Sequence, residues 1–549
     1  MINPSLQYHH QAPVFFLDRV TLQGFFGQPG SLLSCLAAGI SQFYVIGWMG
    51  ALFTTAAAWW ICRSTQALLR SSACARVVDQ HPLRGPEEPP AAGESESRKA
   101  SSRRGSERCL EIQSAHLLPA MLLLAAQSDY AFPIVPVLLG LCLSLGGAVL
   151  DRQFRSFRLG WRWSAFALIL ILLAWLVQGF CLVFVGVTLA LETSRLWRPW
   201  LQRVTRRPLF QGLRRHAVIC IGLAVAGYVA MTFDRQQKLL IEIDLMARQG
   251  RWARVIDLAG ELHKTTPAAA MDISRALFHL GRLPVDQFSP SLPQPLVLLP
   301  LTDAQLQGGG LALVDVLLDL GQVNPAEHGA YETLELQGER LETLKCLARI
   351  HELKHQPAAA QIYRNRLHKN PAFRWLMAHP VPSDASSGDG NTPGTAAYES
   401  FRLQKDYPGT LMQPDFLLFP LLQANIKNRM AFEYLMGFYL QTRQLDRATQ
   451  LLQRIDELDY SPIPRTYQEA LALFHAVSPS AQTNAPEPGV LPNVSKRLAD
   501  FLAEYQQLNP GDGTGRRRLE QEWGDTYWAY YFLSDRGASA SISATDNYQ

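Results

Sequence analysis

The chain changes character near Phe233. Before it, nearly uncharged apolar stretches alternate with arginine-rich loops; after it, segments with helical periodicity run to the C-terminus. Stretches such as Phe132–Leu150 and His216–Phe233 carry almost no charge over close to the roughly 20 residues that a helix needs to cross a bilayer. The expected fold class is therefore all-α: an N-terminal polytopic helical membrane domain followed by a degenerate tetratricopeptide-like α-solenoid. Whole-chain composition hides the division, because 48% hydrophobic residues and a net charge of +4 over 549 residues would suit an ordinary globular protein.

The basic residues read as topology signals. Arg152, Arg155, Arg158 and Arg162 flank one apolar stretch, and Arg195, Arg198, Arg203, Arg206, Arg207, Arg214 and Arg215 flank another, as cytoplasmic loops of a membrane protein do. No aromatic-interleaved motif accompanies them, so nucleic acid is not an expected partner. The spans are then Phe43–Cys62, Ser114–Gln127, Phe132–Leu150, two crossings or one within Ser164–Leu191, and His216–Phe233. Six crossings place both the N-terminus and the C-terminal domain outside the cytoplasm, with Trp59, Trp60, Trp161, Trp163, Arg203, Arg206 and Arg207 at the membrane interface. The predicted domains are 1–42, an outer amphipathic segment; 43–233, the transmembrane domain with a disordered loop at 79–111; 234–535, the helical repeats; and 536–549, a disordered tail.

Beyond Phe233 the residues form a series of helical hairpins. Ala247-Arg248-Gln249-Gly250-Arg251-Trp252 is followed by Val255, Ile256, Ala259 and Leu262 at helical spacing before Pro267. A small residue, a glycine turn, an aromatic and an apolar stripe ending in proline follow the logic of a tetratricopeptide-like repeat. Further turns are expected at Gly281-Arg282, Gly321, His355-Gln356-Pro357 and Arg443-Gln444-Leu445. Such repeats stack into surfaces that hold a peptide or a protein.

No residue cluster announces a reaction, so a binding role is read ahead of an enzymatic one. His351-Glu352-Leu353-Lys354-His355 is a literal HExxH, the spacing that puts two imidazoles and a glutamate base on one helix face around zinc. Pro357 ends the helix too soon after it, no third ligand is identifiable, and an exposed helix end is the simpler reading; no metal or cofactor is expected. Asp18 and Asp129, acids in two outer segments, are weak catalytic candidates for a transferase acting on a lipid-linked substrate. The eight cysteines show no CxxC or zinc-type spacing. The aromatic segment Trp523–Phe532 reads either as a helix capping the repeats or as a membrane-docking face.

The runs QPGSLLSCLAAGISQFYVIGWMGAL, SDY, NRMAFEYLMGFYLQTRQLD, YQEAL and WGDTYWAYYF together resemble an uncharacterised family of bacterial polytopic membrane proteins with tetratricopeptide-like C-terminal regions. The resemblance covers almost the whole chain and transfers no catalytic residue. It implies a further apolar span before the segment that resembles Phe15–Gly30, and hence a truncated or misassigned start here. The expected protein sits in the bacterial inner membrane and presents an extracytoplasmic repeat domain to an envelope protein or peptide. Its partners are then the lipid bilayer and that polypeptide, with oligomeric state left open. The alternatives are the lipid-linked transferase and, behind it, a zinc peptidase using His351, Glu352 and His355.

Overall fold

The computed structural model describes residues 3–11, 14–26, 31–78, 135, 142, 223, 226–227, 231, 233–294, 296–379, 413–458, 460, 462–477, 491–508 and 513–534. Among these, every regular element is a helix. They form two compact units, one of Met1–Arg235 with Lys369–Trp375, the other of Gln236–His368 with Leu376–Gln549.

In the first unit, α1 (Pro4–Gln11), α2 (Arg19–Phe26) and α3 (Ser31–Ser41) lead through a 3-10 turn at Gln42–Val45 into α4 (Gly47–Val78). Asp18 starts α2 by accepting the Thr21 backbone N–H at 2.8 Å, as an N-cap does. Phe16 and Tyr44 are buried. Asn370 ties the unit together: its amide donates to the Phe15 carbonyl at 2.8 Å and to Gln42 Oε1 at 3.1 Å, and its oxygen accepts from the Phe373 N–H. Gly50 cannot carry a side chain, since a Cβ there would lie 2.6 Å from Pro4.

The structure corrects the expectation of a polytopic membrane domain. Among the described residues no helix is long and apolar enough to cross a membrane. The proposed first span, Phe43–Cys62, falls on the 3-10 turn and α4. That helix has the length, with 32 residues, but Trp48, Thr54, Thr55, Trp59 and Trp60 dilute its apolar content and Arg63 follows. A run without charges is therefore not the same as a run of lipid-soluble residues. With this domain go the expected inner-membrane location, its extracytoplasmic orientation and the cell-envelope setting. The remaining proposed spans, the 79–111 loop and the 536–549 tail lie outside the described residues, apart from isolated positions.

The second unit is built from helix pairs: α5 (Arg235–Arg248) with α6 (Trp252–Ala259), α7 (Pro267–His279) with the short α8 (Leu283–Asp286), α9 (Asp303–Asp319) with α10 (Val323–Gln337), and α11 (Leu341–Leu353) with α12 (Pro357–His368). Along the chain follow α13 (Pro371–Ala378), which belongs to the first unit as far as Trp375, and α14 (Pro414–Ala424); α15 (Arg429–Gln441) then pairs with α16 (Leu445–Leu452). All five pairs are joined by the same turn. Gly250, Gly281, Gly321, His355 and Arg443 each take the left-handed conformation, with φ between 56 and 87°. Each donates its N–H to the carbonyl three residues back, and the next residue donates to the carbonyl five back, at 2.8 to 3.2 Å. This is the Schellman arrangement, which satisfies carbonyls that a helix end leaves open. The chain is then aimed straight into the second helix, whose buried Val255, Ala326, Ala360 and Ala448 leave room for close approach.

The C-terminal helices close the core of this unit. Between α17 (Arg465–Val477), α18 (Pro492–Gln506), α19 (Gly513–Trp523) and α20 (Tyr527–Leu533), Tyr467, Phe501, Tyr527 and Trp528 are fully buried. Glu469 fastens α20 by accepting the Tyr527 N–H at 2.7 Å while paired with Arg465 at the same distance. Thr526 caps the helix through the Ala529 N–H. The aromatic segment is thus interior packing; α19 ends at Trp523 and α20 begins at Tyr527, so Trp523 does not share a helical face with the tyrosines.

Candidate functional site

The turns bring a charged ladder into register. Six residues before each left-handed residue of the first four hairpins stand Asp244, Arg275, Asp315 and Arg349, alternating in sign from one helix to the next. Two residues before it stand Arg248, His279 and Asp319 in the first three. A separation of four puts both members of each pair on one helix face.

The contacts follow this geometry. Arg275 is at the centre: its guanidinium lies 2.9 Å from Asp319, 3.5 Å from Asp315 and 3.7 Å from Asp272. Arg248 pairs with Asp244 at 2.7 Å and reaches Asp315 at 3.8 Å. His279 meets Asp319 at 3.1 Å and stacks on Trp252 with ring centres 4.3 Å apart, while Arg275 lies over the same indole at 5.3 Å. Asp272 and Arg275 are buried, whereas the side chains of Asp315 and Asp244 keep 21% and 33% exposure. The cluster therefore has a closed floor and an open rim.

Electrostatics sort its acids. Burial alone would push Asp319 up, but Arg275 and the His279 hydrogen bond bring it well below the usual carboxylate range. For Asp272 burial wins, helped by the charge of Asp244 and opposed by Arg275 and Arg248, so its carboxyl rises well above that range. Asp315 also rises, through burial and against Arg275 and Arg248. Asp272 Oδ2 has no hydrogen-bond partner, nor do Arg248 Nε and the hydroxyl of buried Tyr434, whose surroundings include Arg275, Asp319 and Asp272. Burial also pushes the Cys346 thiol up.

The residues singled out from sequence fall elsewhere. His351 is buried between Gln356, whose Oε1 is 2.8 Å from Nδ1, and the Tyr331 hydroxyl, 3.1 Å from Nε2, and it stacks on Tyr363. Glu352 pairs with Arg364. His355 lies beyond the end of α11 as the exposed left-handed residue of the turn, so the two imidazoles do not share a helix face. Among the described residues no group of three or more His, Cys, Asp or Glu is arranged to hold a metal. Asp18 caps α2 and lies 3.5 Å from Lys369. Trp59 and Trp60 are exposed on α4. Asp129, Trp161, Trp163, Arg203, Arg206 and Arg207 lie outside the described residues.

The charged ladder was not recognised in the sequence, although its signal is there: pairs four apart, each ending two residues before a turn. Among the described residues, the architecture is all-helical, with an ion network joining α5, α7 and α9 of the second unit. The model of a family of unknown function, DUF6057, matches residues 1–206 and 196–534, and the chain belongs to that family. Comparison with curated proteins and with solved structures found no match.

Proposed function

We propose that the second unit is a helical-repeat scaffold of tetratricopeptide-like kind that binds a protein or peptide partner. The observation that carries this reading is the five-fold recurrence of one turn, hydrogen bond for hydrogen bond. A chain that reuses one supersecondary unit in this way makes an extended surface from successive first helices, and such surfaces bind polypeptides. The described residues favour this over chemistry: the histidine of the HExxH run is held by neighbours, and Asp18 is a helix cap. The test is selection of a random peptide library on the purified full chain, followed by calorimetry of enriched sequences. Enrichment of related sequences with micromolar affinity supports the scaffold; a folded chain that enriches none overturns it.

A further inference from the structure

We infer that Asp303–Gly309, the first two turns of α9, is a flap hinged at Gly310 that opens and closes on α7 while the rest of α9 stays in place. A break in the backbone and a contrast in anchoring on its two sides carry this independently. Gly310, with φ 50° and ψ −135°, interrupts the helix, and it ends a run of three glycines, Gly308–Gly310. Only glycine takes such a backbone readily, and glycine holds a helix weakly, so α9 bends most easily at this point.

Past the break, every residue from Leu311 to Leu318 except Asp315 is buried, and Asp315 and Asp319 are bound into the ion network. Before it, Leu306 is the one large apolar side chain and is only partly buried, while Asp303, Ala304, Gln307 and Gly308 are exposed. A segment with so few buried apolar contacts opens at lower free energy than the core beside it. The flap also carries its own cap: the Thr302 hydroxyl accepts the Gln305 N–H at 3.3 Å, and Gln305 Oε1 accepts the Leu301 N–H at 2.8 Å, so its two turns stay together when it lifts. Against α7 it places bare backbone. A Cβ at Gly308 would lie 3.0 Å from Pro267 Cγ, and one at Gly309 would lie 3.3 Å from Met271 Cε. Opening therefore parts α9 from the start of α7, beside the fully buried Met271, and makes an adjustable step in the row of first helices. The flap stands whether or not that row binds a polypeptide.

The start of α7 supplies a control for ordinary fraying. Thr266 Oγ1 accepts the Ala269 N–H at 3.3 Å and its carbonyl accepts the Ala270 N–H at 2.9 Å, as Thr302 does for Gln305 and Leu306, yet Ala269–Leu277 holds no glycine and is buried throughout. Hydrogen-exchange mass spectrometry on the full chain compares the amides of Leu306–Gly309 with those of Ala270–Ile273, corrected for intrinsic rates, in increasing urea below the unfolding transition. The flap amides are expected to exchange at least tenfold faster and at a rate independent of urea, because local opening exposes little surface. A Pro267→Cys, Gly308→Cys double variant ties the flap down, since a Cβ at Gly308 would lie 3.4 Å from Pro267 Cβ, close to the roughly 3.5–4.5 Å that a disulfide spans. Oxidised, it should slow the flap amides at least tenfold, and reduction should restore them. Equal protection of the two segments, a shared dependence on urea, or exchange unchanged by the formed disulfide overturns the inference. If the double variant does not fold or cross-link, the comparison of the two segments in the unaltered chain decides alone.

Discussion

Exchanging glycine and non-glycine residues among the five turns makes a stability test whose sign is set by the backbone alone. A side chain in the left-handed region costs roughly 1–2 kcal/mol, and glycine gives back roughly 0.4–1 kcal/mol through the freedom of the unfolded chain. The difference favours glycine by about 0.5–1 kcal/mol. His355 is exposed with φ 56°, so His355→Gly should stabilise by about that amount. Gly250→Ala and Gly281→Ala should destabilise by a similar amount, since the added Cβ meets nothing within 4 Å at either position and only the conformational term acts. Arg443→Gly has the same backbone and the opposite sign. Arg443 Nη2 donates to the Ser534 carbonyl at 3.1 Å and to its hydroxyl, and losing charge-assisted bonds costs about 1.5–3 kcal/mol, which exceeds the conformational gain. Urea unfolding followed by circular dichroism reads the global effect. Exchange of the Gln356 amide, which donates to the His351 carbonyl at 2.8 Å, reads the turn itself. A destabilised His355→Gly, or a neutral Gly281→Ala, would refute the reasoning.

Four further outcomes follow from the packing and the charges. Asp272 has a raised carboxyl, so its folded form still binds a proton where the unfolded form has lost it. Stability therefore falls as pH rises from about 4 through the raised value, and Asp272→Asn should flatten that slope in pH-dependent unfolding; an unchanged slope counts against the assignment. Asp319 works in the opposite sense, its depressed carboxyl stabilising the fold above about pH 4 and losing that effect as pH falls through its folded value. Trp528→Ala empties a fully buried site and should cost about 3–5 kcal/mol in calorimetry. Glu469→Leu removes the partner of both Arg465 and the Tyr527 N–H and should cost about 1.5–3 kcal/mol, with exchange protection lost first in α20.

The turns were legible because their cause is local. Glycine or a polar residue before proline or an apolar residue marks a helix end whether or not the partner helix is known, and all five sites are turns in the structure. The ladder was not legible in the same way, since Arg275 meets Asp315 and Asp319 across 40 and 44 positions, and only three-dimensional pairing shows which charges answer one another. HExxH reads as a helix end with its turn at His355, and α11 does end at Leu353; what the letters could not show is that His351 is buried, where an exposed end was expected. The first span misled through charge counting, since α4 lacks charges over Gly47–Cys62 without being apolar enough. In the aromatic segment, the break at Gly524–Thr526 moved Trp523 onto another helix and left Trp528 as the most deeply buried ring.

The two kinds of recurrence in the second unit leave different freedom to sequence change. A turn held by main-chain bonds accepts glycine, histidine or arginine, as it already does, so single substitutions there are survivable steps. In the ladder a lone replacement of Arg275 would take from Asp319 and Asp315 the guanidinium they share. Members of the family are therefore expected to keep these positions or to exchange them as sets, with the sign at one helix tracking the sign at the next.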